Sequence, residues 1–181
     1  SKAGSIGSGS FPSKSDQRAR LLLSPRVGYT GHMIHLSVLD QSPIRTGVTP
    51  TGAIAETLAL AEHTDRLGYH RYWLAEHHSS NSHAGTTPEI LITQVASRTT
   101  RIRVGSGGVM LSHYSPLKVA ENFRMLEALH PGRIDLGIGR APGSDQLTDA
   151  ALKAGPGAIG AEHYPTQVRD LMGYLAGSLP E

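Results

Sequence analysis

The chain has 181 residues, no Cys, 38% hydrophobic and 5% aromatic residues, and a formal net charge of +2. That length fits one domain of ordinary size, and the missing thiols exclude a disulfide scaffold, a thiolate metal centre and a cysteine nucleophile. No apolar run nears the roughly 20 residues of a spanning helix and no apolar signal segment opens the chain, so the composition reads as a soluble, cytoplasmic protein.

The charge is unevenly placed. Residues 1–33 hold five basic side chains (Lys2, Lys14, Arg18, Arg20, Arg26) and a single acid, Asp16, while the rest carries 12 Lys and Arg against 14 Asp and Glu. The basic character therefore belongs to the leader. A nucleic-acid partner would need a basic stripe on the folded body, and the body is mildly acidic. Six Ser and three Gly fill the first fifteen residues without a hydrophobic period. Residues 1–32 are thus expected to form a flexible extension, with Met33 as the natural start and a targeting segment as the alternative.

From Ile34 onward, β-like and helical runs alternate four times. Strands are predicted at His35–Leu39, Tyr69–Leu74, Ile102–Met110 and Ile134–Ile138. The first helix spans Gly52–Leu67, with Ile54, Leu58 and Ala61 on one stripe and Gly68 as its stop. The second opens at Thr87-Pro88 and the third at Ser115-Pro116, where Val119, Phe123 and Leu126 align. A last helix near Pro165–Leu175 aligns Val168, Leu171, Met172 and Leu175. Such βαβ units build a parallel α/β sheet, either open and doubly wound or curved into a (β/α)8 barrel.

In both architectures function gathers at the C-terminal ends of the strands. Those ends read Asp40-Gln41-Ser42, Glu76-His77-His78, Gly105-Ser106-Gly107-Gly108 and Gly139-Arg140. Adjacent histidines on extended chain point to opposite faces, so they share a metal ion poorly, and no metal is expected. One of them, His77 by preference, can act as an acid or base beside a ligand; the other reading is a rim histidine satisfied by hydrogen bonds. The glycine run misses the dinucleotide fingerprint, because extended chain follows it rather than a helix. It marks either a backbone surface for a flat ligand or a crowded corner of the sheet. Arg140 can hold a phosphate or carboxylate, or pair with Asp135 or Asp145.

Four ordered blocks then carry a resemblance. They are Tyr72-Trp73-Leu74-Ala75-Glu76-His77-His78, Gly105-Ser106-Gly107-Gly108-Val109-Met110-Leu111, Ser115-Pro116-Leu117-Lys118-Val119-Ala120-Glu121, and the stretch from Leu126 through His130-Pro131-Gly132-Arg133 to Gly143. Together they resemble the bacterial-luciferase-like, flavin-dependent monooxygenases, and Asp40-Gln41-Ser42-Pro43 is similar to the non-luminescent branch. The resemblance implies a TIM barrel, of which residues 33–181 supply about the first four βα units. It implies reduced FMN (a deazaflavin in some relatives), molecular oxygen, a small organic substrate and a separate flavin reductase. Matched by position, His77 is the active-site histidine, Gly107 and Gly108 back the isoalloxazine ring, and Arg140 lies near the flavin phosphate. Asp40, Gln41 and Ser42 would orient substrate. Gly139 stands where light-emitting members carry a reactive cysteine. A cis Gly107–Gly108 bond and a homo-oligomer paired through the second and third helices are further expectations. The alternative is a catalytically incompetent half-barrel that dimerises or is inert.

Overall fold

The computed structural model describes residues 34–141, 145–152 and 161–178. The expected extension over 1–32, the start at Met33, and Pro142 and Gly143 of the last block lie outside the described residues. Four strands, β1 (Ser37–Asp40), β2 (Arg71–Leu74), β3 (Arg103–Met110) and β4 (Ile134–Gly139), form one parallel sheet in the order β1-β2-β3-β4. A doubly wound sheet reverses its strand order at a switch point and covers both faces. Here the order runs in one direction and the buried core lies on one face, so the open-sheet alternative is set aside.

Each helix has a local cause. Helix α1 (Pro50–Leu67) starts two residues before the predicted position, because Thr49 caps it: its hydroxyl accepts from Gly52 N at 3.1 Å, with Pro50 following. Gly68, at φ 80°, ends the helix in the left-handed conformation, a position that glycine fills without strain. Helices α2 (Pro88–Arg98) and α3 (Pro116–Leu129) begin at the predicted prolines. Val119, Phe123 and Leu126 are buried as the period requires. Helix α4 (Gln146–Leu152) has no buried residue, so no apolar period announces it. In α5 (Tyr164–Ala176) the predicted stripe is corrected: Leu171 is buried, but Met172 is 63% exposed and Gln167 takes an inner place.

Tyr72 and Leu74 of β2, Val104 and Val109 of β3, Ile92 and Val95 of α2, and Val119 and Phe123 of α3 fill the space between sheet and helices. Burying each large side chain contributes about 1.5–3 kcal/mol. Two charged groups pin the loops that carry the strands. Asp65, near the end of α1, accepts from the backbone N–H groups of Thr100, Arg101 and Ile102 at 2.9, 3.0 and 2.8 Å. Burial pushes its carboxyl pKa up, but those hydrogen bonds outweigh burial and hold it below the ordinary value. Arg133 donates to the carbonyls of Ala96, Thr99 and Ile102, closing the C-terminus of α2.

Among the described residues, the opposite face of the sheet is uncovered. Register places Leu39, Trp73, Gly105 and Asp135 side by side on it, and Leu39 is 59% exposed. Asp135 binds Arg71 at 2.9 Å and Arg103 at 2.7 Å, so it is not the partner of Arg140 that the sequence allowed. On the helical surface, Ile90 of α2 and Met125 of α3 are each 66% exposed. Among the described residues no helix is long and apolar enough to cross a membrane.

Candidate functional site

At the C-terminal ends of the strands lies a cleft of ≈ 190 Å³, lined by residues of all four strand ends: Leu39 and Gln41, Ala75 to His77, Gly107, Gly108 and Met110, and Gly139 and Ala141. Two larger hollows, ≈ 600 and ≈ 640 Å³, open elsewhere, one between α2 and α3 and one among α3, β4 and α5. Volume favours them, but the strand-end cleft is where the candidate groups converge. It is smaller than the roughly 300–1,000 Å³ usual for a small-molecule pocket. Its shape suits one wall of a flat ligand rather than an enclosure.

The glycine run resolves into two roles. A Cβ on Gly105 would strike the Trp73 ring and Asp135, and one on Gly137 would strike the Ser106 carbonyl oxygen. Gly105 therefore seats the indole and Gly137 the β3–β4 pairing, which is the crowded-corner reading. Gly107 is exposed and Gly108 half-buried within an otherwise buried stretch of β3, and both line the cleft. Their backbone is open to a ligand that a side chain would obstruct. The Gly107–Gly108 bond is cis, as expected. Where the β3–β4 register shifts, the Ser106 hydroxyl bridges the gap, donating to Gly137 O at 2.8 Å and accepting from Gly137 N at 3.1 Å.

Glu76, His77 and His78 divide as alternation requires. Glu76 is 2% exposed and gathers three donors: Met110 N at 3.0 Å, the Tyr114 hydroxyl at 2.7 Å and His78 Nε2 at 2.6 Å. Since a carboxylate only accepts, His78 carries its proton on Nε2 in this contact. Burial, then the hydrogen bond to Glu76, raises the Tyr114 pKa and keeps the phenol protonated. His77 turns to the cleft. Its backbone N–H donates to Gly85 O at 2.9 Å, and its ring stacks on His83 with centroids 4.3 Å apart and planes 18° off parallel. Its Nδ1 is buried without a hydrogen-bond partner among the described residues. Burial lowers its pKa, His83 and His78 lower it further, and Glu76 opposes them.

The first strand end is placed differently from expectation. Gln41 is exposed and lines the cleft. Asp40 and Ser42 are buried, and neither lines it. Asp40 accepts from the Tyr72 hydroxyl at 2.6 Å and from Ser42 N at 2.7 Å, while the Ser42 hydroxyl accepts from Thr57 at 2.9 Å. Arg140 is exposed beyond Gly139, and among the described residues no ion pair engages it. The hub at Glu76 could have been found as the lone acid of its strand end. The His83 contact had no signal, since it crosses a Ser-rich loop without a period.

The family model described as luciferase-like monooxygenase matches residues 34–164. Among curated relatives, the chain is 54% identical over 143 residues to the uncharacterized protein YwcH of Bacillus subtilis, covering 79% of this chain and 43% of that protein. It is 53% identical over 122 residues to the N-acetyl-S-alkylcysteine monooxygenase of the same organism, covering 67% of this chain and 36% of that one. The crystal structure of apo-MsnO8 superposes with a TM-score of 0.75 at 48% identity, over 79% of this chain and 43% of that one. The oxygenating constituent of 3,6-diketocamphane monooxygenase from Pseudomonas putida, solved in complex with FMN, shares the fold with a TM-score of 0.66 at 20% identity, over 80% and 38% of the two chains. The chain belongs to the luciferase-like monooxygenase family. It spans about 43% of the length of the first of these relatives.

Proposed function

We propose that the protein contributes the flavin-facing wall of a monooxygenase that uses reduced FMN, or a deazaflavin, and molecular oxygen on a small organic substrate. One observation carries this reading: the open Gly107–Gly108 backbone and the His77 imidazole line one cleft at the strand ends. The fit to a flat ring rests on the backbone there. A Cβ on Gly107 would sit 3.1 Å from Leu39, which also lines the cleft, and 3.0 Å from Trp73. FMN in a structure of the same fold supports the choice of cofactor.

In this reading Gly107 and Gly108 lie against the ring and Arg140 holds the phosphate. Bound reduced flavin supplies the chemistry with oxygen. His77 takes up and returns a proton at Nε2, since Nδ1 is the buried nitrogen. Gln41 orients the substrate. Asp40 and Ser42 act from behind it, fixing the turn through Tyr72 and Thr57. The barrel would be completed by βα units beyond these four, a separate reductase would deliver the flavin, and the protein would work as a homo-oligomer in the cytoplasm. TIM-barrel phosphate sites usually draw on the seventh and eighth strands, so this chain should bind FMN weakly. The second reading, an incompetent half-barrel, draws on the small volume of the cleft. Titration with FMN, followed by aerobic oxidation of added reduced FMN, separates the two. Weak, saturable flavin quenching that Gly107→Val abolishes is expected, and no saturable response would favour the inert half-barrel.

A further inference from the structure

The loop after β2 returns to the cleft and places a second histidine against the first. His83 is held at both its backbone and its ring. It bridges to Pro43, and the flanking bonds Ile44 N to Ser82 O and Ala84 N to Ser42 O, both 2.8 Å, lace this loop to the one after β1. Its Nδ1 meets the hydroxyls of Ser80 and Ser82 at 2.9 and 3.0 Å. A surface histidine with no task would not need two hydroxyls and a bridged backbone to fix one ring plane.

We propose that His83 is the positioning residue of the site: stacked on His77, it sets the plane of that ring beside the cleft and opposes a positive charge on it. The proposal rests on the reading of His77 as the group that handles the proton. The geometry supports both halves. With its Nδ1 unpartnered, the His77 ring has no hydrogen bond at that nitrogen to fix its plane, and the stack at 4.3 Å supplies the missing constraint. Two imidazolium rings that close would repel, so the His83 ring opposes a positive charge on His77. The charged and titratable groups facing His77 are few. Glu76 favours its cation, while His78 and His83 oppose it. Among the described residues, the cleft lining that β1, β3, β4 and the residues after them supply is uncharged (Leu39, Gln41, Gly107, Gly108, Met110, Gly139 and Ala141), with the Arg140 guanidinium exposed next to it. Burial acts in the same direction as the two histidines. The result is a His77 that stays neutral, with a lone pair available, at pH values where a free imidazole would begin to charge.

The test is a proton NMR titration of the histidine rings in the full 181-residue chain, without flavin, for the parent, His83→Phe and His83→Ala. Phenylalanine keeps the stacked face and removes the charge. His83→Phe should raise the His77 titration midpoint while His77 keeps its ring-current shift. His83→Ala should raise the midpoint and also erase that shift. A midpoint unmoved in both variants overturns the proposal. Since this readout needs no flavin, it separates the histidine pair from the flavin reading, which fails alone if FMN gives no saturable response. Where FMN does bind, the pH dependence of the aerobic oxidation of added reduced FMN should move upward in His83→Phe by the same interval as the NMR midpoint. A dependence that stays fixed overturns the positioning role.

Discussion

Gly107 and Gly108 are neighbours in sequence, but a side chain on each would meet a different obstacle. A Cβ on Gly108 would lie 2.8 Å from the backbone of Gly137 and Ile138, which cannot yield without moving β4. One on Gly107 would meet Trp73 and Leu39 side chains at 3.0 and 3.1 Å, which can shift by a few tenths of an ångström. Gly108→Ala should therefore lower the urea midpoint clearly, within the roughly 1–3 kcal/mol of overpacking changes, and Gly107→Ala should cost less. Equal losses would show that the β4 backbone is softer than its contacts imply. His77 belongs to this scale as well. In a protein carrying the whole barrel, His77→Ala should reduce flavin-dependent turnover by about 10²–10⁴-fold with little change in flavin affinity. Unchanged turnover would make it a structural histidine of the rim. His77 could be picked from the sequence because its strand end is contiguous. Its stack on His83 could not, because nothing local marks a contact made across a loop.

Among the elements, Asp65 and Arg133 do the joining. Asp65 closes the junction of α1 with the turn into β3, and Arg133 closes the end of α2 from the start of β4. Hydrogen bonds to a charged group contribute about 1.5–3 kcal/mol each, and a donor left unmade in a buried place adds its desolvation. Asp65→Ala removes the acceptor of three backbone N–H groups, of which that of Ile102 is buried, so it should cost about 1–3 kcal/mol, measured by urea unfolding. Asp65→Asn keeps one acceptor oxygen and should cost less. A neutral result for the alanine variant would mean that water replaces the carboxylate there. Neither role was visible in the sequence. Arg133 enters the sequence reading only as part of the last block of the resemblance, and Asp65 does not enter it. Their partners lie more than thirty residues away, beyond the reach of any local period.

At the scale of the whole molecule, acid should act in two stages. Burial, His83 and His78 depress His77 below its usual 6.5, so the folded state resists a proton that the unfolded chain accepts. Stability therefore falls as pH drops through the range below 6.5. Burial and the charge of Arg71 depress His70 in the same direction. Asp65 and Asp135, held below the usual 3.8 by hydrogen bonds that outweigh burial, lose their contribution as pH falls below 3.8 and on through their lower folded values. Urea midpoints at pH 8, 5.5 and 3 should decline in both intervals, and a flat response between pH 8 and 5.5 would remove the histidine contribution. Self-association is the second expectation. Strands β1 and β4 are the sheet edges among the described residues, and Leu39 on the open face and Ile90 and Met125 on α2 and α3 are exposed. Sedimentation equilibrium should report a homo-oligomer, whereas a compact monomer would show that these surfaces need no partner.

What the sequence by itself determined was the order of the four strands and of every helix but α4, the strand ends at which polar residues collect, and the family. Helical period, proline starts, glycine stops and contiguous motifs are all local, so one strand of text contains them. Tertiary structure alone decided the single direction of strand order, which set aside the open doubly wound sheet. It also turned Asp40 and Ser42 inward while leaving Gln41 at the cleft, took Asp135 from Arg140, and exposed Met172. The physical reason is the same in each case: burial and pairing depend on which distant element arrives alongside. Alternation along a strand says that two faces exist, but only the packed helices say which of them is inside.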